Sequence, residues 1–260
     1  MAGLGLACVG WGFVEPYRPE VTTLRITCDK MPAGARPIRI MHVSDIHCVG
    51  SERLEGFVPQ IVRDLKPDLI AFTGDGVGSA AGRGRFREFI RSLSEIAPTT
   101  CIRGNWDDYE YADPDFVSGT GAIELDGQTQ LMDVGAARIQ IVGVSDHNAQ
   151  EIGPQLERCD RTLPVILLCH RPDEADVAAS LGCDLYLAGH THGGQVRLPF
   201  YGAMVTLSRF GKRFESGLYQ IGAMRMYISR GVGMEGPPAP PVRFLCRPEI
   251  TLIELTPAQR

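Results

Sequence analysis

The sequence has no apolar run long enough to cross a lipid bilayer. Its uncharged start, MAGLGLACVGWGF, covers 13 residues, whereas a membrane-spanning helix needs about 20. The start also lacks the positively charged flank of a secretory signal. Three interpretations stay open for it: the stub of a longer anchor, a segment lying on a membrane surface, and an ordinary first element of the fold. We expect a cytoplasmic protein, with the surface-lying interpretation giving peripheral contact with the inner membrane.

Cysteine pairs at metal-binding spacing and an excess of positive charge are also missing. None of the eight cysteines forms a Cys-x-x-Cys pair, which argues against a zinc site built from thiolates. Several lie in apolar runs, where buried free thiols are usual, and this favours a reducing compartment. The net charge is −5, so the chain has no overall attraction to nucleic acid, and we expect no nucleic-acid partner.

Strand patterns and helical patterns alternate along the first part of the chain, which predicts a mostly parallel sheet covered by helices. The middle consists of short strand patterns split by Gly and Asp turns, which predicts an antiparallel meander. Two sheets, each covered by helices, fit the whole order better than two separate domains, and the fold class is mixed α/β and α+β. The segments are IRIMHVSD, RLEGFVPQIVRDL, PDLIAFTGD, FREFIRSLSEI and TTCIRGN, then GAIELDG, TQLMDVG and ARIQIVGVSDHN.

Potential metal ligands follow five of the predicted strands. Ligands in such sheets bind at the carboxyl ends of the strands, so these side chains are expected to meet. His-x-His after a strand is a moderate signal, but the other motifs alone are weak, since Asp-x-His is common and a histidine before Arg-Pro-Asp can simply cap a helix. The mixed nitrogen and oxygen set suits Mn, Fe or Zn. Seven ligands are too many for one such ion and fit two ions that share a carboxylate. The residues are Asp45, His47, Asp75, Asn105, His170, His190 and His192.

The ordered motifs DIH, GD, GN, H before RPD, and GHTHGGQ resemble the calcineurin-like metallophosphoesterase family. The EP near the start, YISRGVG and the final PEITLIEL resemble its YkuE/YaeI-like bacterial branch of membrane-associated phosphoesterases. The resemblance implies a four-layer αββα sandwich with two mixed β-sheets flanked by helices. It also implies one metal bound by Asp45, His47 and His192, a second bound by Asn105, His170 and His190, and Asp75 as the bridge.

The same resemblance implies the domain organisation and the catalytic residues. Residues 1–37 are expected to form an N-terminal extension with the apolar start and the first strand, and residues 38–260 the metallophosphoesterase domain. Asp75 and Asn105 are expected to take part in catalysis by a dinuclear centre that activates water for attack on phosphorus. Trp106 and Arg103 are expected to lie near the substrate.

Trp106 departs from the family, which usually has histidine after Gly-Asn as the acid or phosphate-orienting group. An indole N–H can donate a hydrogen bond but cannot shuttle a proton near neutral pH. Three interpretations follow: the leaving group needs no acid, another residue such as His147 supplies the proton, or the site binds metal without hydrolysis. Plain packing beneath the site and contact with substrate are equally compatible with the indole ring.

The first interpretation is favoured because every expected metal ligand is present. It predicts a hydrolase of phosphodiester or pyrophosphate bonds whose substrate is a small phosphoester or a lipid, such as UDP-2,3-diacylglucosamine. The alternatives are a phosphomonoesterase or cyclic-nucleotide phosphodiesterase, and a metal-binding module without activity. The sequence leaves the oligomeric state and the choice among Mn, Fe and Zn open.

Overall fold

The computed structural model describes residues 10–236 and 239–258. Most of the apolar start, residues 1–9, therefore lies outside the described part, while Trp11 and Phe13 are 40% and 56% exposed. The helices are α1 (Val58–Leu65), α2 (Arg83–Ser94), α3 (Ile152–Arg158) and α4 (Ala175–Ser180), with a π-helical turn at Trp106–Glu110. The strands are β1 (Glu20–Cys28), β2 (Ile38–Val43), β3 (Leu69–Thr73), β4 (Thr99–Ile102), β5 (Ile123–Glu124), β6 (Gln128–Val134), β7 (Ala137–Val144), β8 (Val165–Cys169), β9 (Leu185–Ala188), β10 (Arg197–Leu198), β11 (Gly202–Ala203), β12 (Gly217–Ile221), β13 (Met224–Ile228) and β14 (Glu249–Pro257).

Two six-stranded mixed sheets form the centre of the described structure. The first has the order β1-β14-β2-β3-β4-β5, and only the β14–β2 pair is antiparallel. The second has the order β12-β13-β9-β8-β7-β6, with antiparallel pairs at its two edges. A separate two-stranded hairpin joins β10 and β11. The predicted class, two mixed sheets flanked by helices, is confirmed.

Alternating side chains of the central strands build three apolar cores and so separate four layers. Ile40 and Ala71 point into the core between the two sheets, whereas their neighbours Met41 and Phe72 pack towards the helices on the first sheet. Because successive side chains of a strand face opposite sides, one uninterrupted apolar run serves both cores. A third core lies between the second sheet and α3 and α4.

The predicted meander is wrong in its first strand. β5 pairs in parallel with β4, so it belongs to the first sheet, and only β6 and β7 form an antiparallel hairpin. The reason is the burial of Leu125, which lies in the core between the sheets and whose backbone N–H donates to Cys101 O at 2.8 Å. The chain therefore crosses from one sheet to the other just after β5.

The first predicted helix is shorter than its sequence pattern. RLEGFVPQIVRDL suggests a helix from Arg53, but α1 begins at Val58, with Pro59 in its first turn. Proline lacks the N–H that a helix interior requires, so it fits only near a helix start.

Two properties of the described residues bear on the environment of the protein. No helix in residues 10–236 or 239–258 combines the length and the apolar character that spanning a membrane requires. The seven described cysteines are free and buried, and Cys8 lies outside the described residues.

Glu249, at the start of β14, joins the two sheets through its carboxylate. It accepts hydrogen bonds from Thr22 Oγ1 in β1 at 2.5 Å and from Tyr227 OH in β13 at 2.8 Å. Arg230 Nη2, just after β13, donates to it at 3.0 Å. Burial acts to raise the pKa of Glu249, but the Arg230 guanidinium and the hydrogen bonds from Thr22 and Tyr227 together outweigh burial and hold the pKa below its ordinary value.

Replacing Glu249 by glutamine is expected to lower the free energy of unfolding by about 3 kcal/mol at pH 7, because Arg230 loses its buried counter-charge. A lowered folded-state pKa means that this stabilisation is present above the unfolded pKa of about 4.3 and is lost as pH falls through the folded pKa. The difference between Glu249→Gln and the parent should therefore shrink in acid. Denaturant unfolding at several pH values measures it. The exposed Glu95→Gln is the control, and an unchanged unfolding curve for Glu249→Gln at pH 7 would contradict the role given to the carboxylate.

Candidate metal centre

The seven predicted ligands lie at the carboxyl ends of parallel strands from both sheets. Asp45 and His47 follow β2, Asp75 follows β3, and Asn105 follows β4 in the first sheet. In the second sheet, His170 follows β8, and His190 and His192 follow β9. The two sheets pack face to face, so loops from both meet at one end of the sandwich. Six of the residues form two buried groups, Asp45 with His47 and His192, and Asp75 with His170 and His190.

Five of the seven residues have a left-handed backbone, which is uncommon for any residue except glycine. The φ angles are 53° at Asp45, 46° at His47, 56° at Asp75, 70° at His190 and 49° at His192. Each such residue costs about 1–2 kcal/mol relative to an ordinary conformation. Strained backbone that recurs at a cluster of polar side chains is typical of a functional site.

The first group places two imidazole nitrogens against each other. His47 Nε2 and His192 Nε2 are 3.1 Å apart, and His192 Nε2 is 3.5 Å from Asp45 Oδ1. Burial lowers the pKa of His47 to about 4 and that of His192 well below its ordinary value. Both rings are therefore neutral near pH 7, and a neutral ring is the form that binds a cation.

The second group is oriented by backbone carbonyls. His170 Nδ1 lies 2.7 Å from Thr73 O, and His190 Nε2 lies 3.2 Å from Leu207 O. When such a ring is neutral, the nitrogen that donates to the carbonyl carries the proton, and the opposite nitrogen is free to bind a cation. This arrangement commonly fixes the tautomer of a metal-binding histidine.

Asp75 lies between the two groups and uses its two oxygens differently. Oδ1 accepts a hydrogen bond from the Trp106 backbone N–H at 2.9 Å. Oδ2 is 3.6 Å from His47 Nε2 and 3.2 Å from His170 Nε2, and it accepts no hydrogen bond. A single free oxygen therefore faces a histidine of each group, as a shared ligand would.

Buried polar atoms without partners show that these residues fit divalent cations. Besides Asp75 Oδ2, His170 Nε2 and Asn105 Oδ1 are buried and have no hydrogen-bond partner. Such atoms are costly unless something satisfies them. All three belong to predicted ligands, and their mixture of oxygen and nitrogen suits Mn, Fe or Zn better than Ca or Mg.

The charges of the site favour the entry of a cation. Burial raises the pKa of Asp45 to about 6. Burial alone would lower the pKa of His170, but the neighbouring carboxylates, Asp75 foremost, together outweigh burial and raise the pKa to about 10. Binding of a cation at Asp75 would replace the proton on His170 as the compensating positive charge.

Trp106 is buried beside the first group. Its ring meets His47 edge-on with centroids 5.2 Å apart, and its Nε1–H donates to Glu235 Oε1 at 2.7 Å. Only 9% of its surface is exposed. The ring thus packs under the site, and its one polar atom is engaged within the protein.

The structure does not bring His147 or Arg103 into contact with either group. His147 Nδ1 is 2.9 Å from Asp108 Oδ2, and its Nε2 is 3.3 Å from Asp126 Oδ2. Arg103 Nε donates to Glu124 Oε1 at 2.5 Å. Neither forms a hydrogen bond or ion pair with the seven residues, so the catalytic role of His147 and the substrate contact of Arg103 stay predictions.

Two carboxylates beside the site, the buried Asp107 and the partly buried Glu235, were missed by the sequence analysis. Asp107 accepts hydrogen bonds from the backbone N–H groups of Gly76, Val77 and Gly104, and so fixes the loops after β3 and β4 against each other. Burial raises its pKa to about 7. Its place directly after Gly-Asn-Trp was a usable signal. Glu235, whose pKa burial raises to about 7, carries no such signal, because nothing in its spacing relates it to the motifs.

A buried arginine supports the histidine side of the first group and was also missed. Arg243 Nη2 donates to Gly233 O at 2.6 Å and to Arg230 O at 2.8 Å. These two contacts use both N–H groups of Nη2. The 3.2 Å distance between Nη2 and His192 Nδ1 therefore does not dictate the tautomer of His192. The side chain fixes the loop after β13 to the base of the site.

Comparisons with known proteins agree with this geometry. Residues 38–194 match the calcineurin-like phosphoesterase family. The chain is 34% identical to the uncharacterized metallophosphoesterase YkuE of Bacillus subtilis (strain 168), over 98% of this chain and 92% of that protein. It is 31% identical to the phosphodiesterase YaeI of Escherichia coli (strain K12), over 95% and 93% respectively. The resemblance to this family and branch is confirmed.

One solved structure supports the fold alone. The phosphopantetheinyl hydrolase PptH from Mycobacterium tuberculosis superposes with a TM-score of 0.50 at 13% identity, covering 82% of this chain and 97% of that one.

Replacing Gly104 by alanine is expected to weaken divalent-cation binding by about 10- to 100-fold, the range seen when the support of a metal ligand is disturbed. A Cβ at this position would meet Asp75 Oδ1 at 2.2 Å and must displace that carboxylate. Titration calorimetry with MnCl₂ measures the affinity. Gly84→Ala is the matched control, since a Cβ there meets nothing within 4 Å. Equal affinities for the two variants would contradict the tight packing of Asp75.

Proposed function

Because the chain belongs to the calcineurin-like phosphoesterase family and is a phosphoester hydrolase, we propose that it uses two divalent cations to cleave phosphodiester or pyrophosphate bonds in substrates with an apolar tail. The observation that carries the proposal is the free Oδ2 of Asp75, which faces a histidine of each buried group. A carboxylate in that position suits two cations about 3.5–4 Å apart.

Each ligand has a defined part in this centre. Asp45, His47 and His192 are proposed to hold one cation, Asn105, His170 and His190 the other, and Asp75 both. When bound, Mn, Fe or Zn ions supply neutralisation of phosphate charge and a lowered pKa of water. The protein's own contribution is orientation, since carbonyls fix the rings of His170 and His190 and the Trp106 N–H fixes Asp75.

The nature of the leaving group follows from Trp106. The indole cannot give up a proton near neutral pH, and its N–H is already engaged with Glu235. A phosphate or nitrophenolate leaves as a weak base and tolerates the lack of a proton donor, whereas an alkoxide needs one. This supports pyrophosphate and activated diester substrates over simple alkyl esters. The relative YaeI is named as a phosphodiesterase, which agrees with that class.

An exposed apolar surface beside the second group supports a tail on the substrate. It comprises the β10–β11 hairpin and the loop that follows, and its side chains are 44–111% exposed. Leu207 lies at the inner end of this surface. Its backbone O is 3.2 Å from His190 Nε2, so the surface reaches the site. Contiguous exposed apolar patches usually mark binding surfaces. A lipid substrate at a membrane surface would place its tail on this apolar surface and its phosphate at the site. The residues of this apolar hairpin surface are Leu198, Phe200, Tyr201, Met204, Val205 and Leu207.

Manganese-loaded protein is expected to hydrolyse bis-p-nitrophenyl phosphate, and His190→Ala should lower kcat/KM by more than about 100-fold, because the second cation loses a ligand. Release of nitrophenolate measures the rate. His147→Ala should keep most of the activity, since that ring is held by Asp108 and Asp126. Full activity in His190→Ala would refute the two-cation proposal, and a large loss in His147→Ala would favour the interpretation in which His147 supplies a proton. Faster turnover of monoesters or cyclic nucleotides would point to the alternative substrate class.

Replacing Phe200 by serine is expected to raise KM for an acylated pyrophosphate substrate by about 10-fold and leave bis-p-nitrophenyl phosphate unaffected. Loss of one large apolar contact is worth about 1–3 kcal/mol. The matched control is Phe57→Ser, which removes another exposed phenylalanine, just before α1. Identical KM values for both variants and the parent would argue against the apolar hairpin surface as the tail-binding face.

A further inference from the structure

We propose that Glu235 is an additional oxygen ligand of the first cation, and that Trp106 is the positioning residue that holds it there. The inference rests on the two-cation function proposed above and adds a ligand to it. Neither residue belongs to the seven ligands deduced from the motifs. The pair also explains what a large aromatic ring does in the middle of the Gly-Asn motif.

Hydrogen bonds to the part of Glu235 that faces away from the site orient its carboxylate towards the site. Its Oε1 accepts from Trp106 Nε1 at 2.7 Å, and its backbone N–H donates to Gln195 Oε1 at 2.7 Å. The second oxygen, Oε2, is left 3.3 Å from His192 Nε2. Only 16% of the side-chain surface is exposed.

Oε2 lies close to one candidate ligand atom of the first group, His192 Nε2. His192 Nε2 has three close polar neighbours: His47 Nε2 at 3.1 Å, Glu235 Oε2 at 3.3 Å and Asp45 Oδ1 at 3.5 Å. Oxygen and nitrogen atoms that bind the same cation at about 2.0–2.2 Å lie roughly 3–3.5 Å from their nearest neighbours. Once His192 Nε2 binds a cation, an oxygen so close to it has that cation as its natural partner.

Trp106 supports the loop of Glu235 by shape as well as by its N–H. Gly236 lies against the indole so closely that a Cβ there would meet Trp106 Cη2 at 2.6 Å. From the other side, Arg243 donates to Gly233 O at 2.6 Å. The loop is thus held from two directions, and a ligand held by its surroundings in this way binds metal more tightly than a mobile one.

The test measures Mn²⁺ binding to the first site alone. His190→Ala serves as the background, because it removes a ligand of the second site. In that background, Glu235→Gln is expected to weaken Mn²⁺ binding by about 10- to 100-fold in titration calorimetry. Trp106→Phe, which keeps a ring and removes the N–H, should weaken it by about 10-fold. Glu110→Gln, an exposed glutamate in the neighbouring π-helical turn, should leave the affinity unchanged.

A double-mutant cycle separates positioning from general damage. If Trp106 acts through Glu235, Trp106→Phe should have little further effect once Glu235 is glutamine. Unchanged Mn²⁺ affinity in Glu235→Gln would overturn the inference, while two bound ions and activity in the parent protein would leave the proposed function standing. Absence of divalent binding in the parent would instead refute the proposed function itself. Should Glu235→Gln fail to fold, the Trp106→Phe variant decides, and an unchanged affinity there also overturns the inference.

Discussion

The free oxygen of Asp75 is the constraint on which the rest of the site depends. One oxygen of its carboxylate is fixed by the Trp106 N–H, so the other must face His47 from the first sheet region and His170 from the second sheet. This arrangement requires the two sheets to be packed in one relative position, because a shift of about an ångström between them would separate the two groups of residues. The core between the sheets, rather than the loops, therefore determines the distance between the ligands.

Strain and packing are linked at this end of the sandwich. Five candidate ligand residues in left-handed conformations together cost several kcal/mol, and no local interaction in the loops is large enough to offset that. The three apolar cores are large enough to offset this cost, since each buried aliphatic side chain contributes about 1.5–3 kcal/mol. Asp107 adds a local contribution, because its carboxylate ties three backbone N–H groups of neighbouring loops. The rigid strands thus allow the loops to keep a geometry that they would not adopt alone.

The sequence predicts well where the candidate ligands lie, because each is within a few residues of a strand end. Parallel strands bring such ends together whatever the details of packing, which is why Asp45, Asp75 and His170 meet as expected. It predicts less well where a position depends on contacts between distant segments. β5 joins the first sheet because of how Leu125 is buried, and Glu235 reaches the site through Gln195 and Trp106. Neither relation leaves a periodicity or a spacing in the chain.

The tryptophan links the two unusual features of this site, its lack of a histidine acid and its extra carboxylate. A histidine at position 106 would offer a proton donor. It would also remove the indole ring that packs against Gly236 and alter the hydrogen bond to Glu235. Gaining the acid and keeping the carboxylate in place are therefore opposed requirements on one residue. If Glu235 binds the first cation as proposed, its negative charge would also reduce the positive charge available to stabilise a departing oxygen, and strongly basic leaving groups would be disfavoured further. Both effects select the same substrates, those whose leaving group departs without a proton.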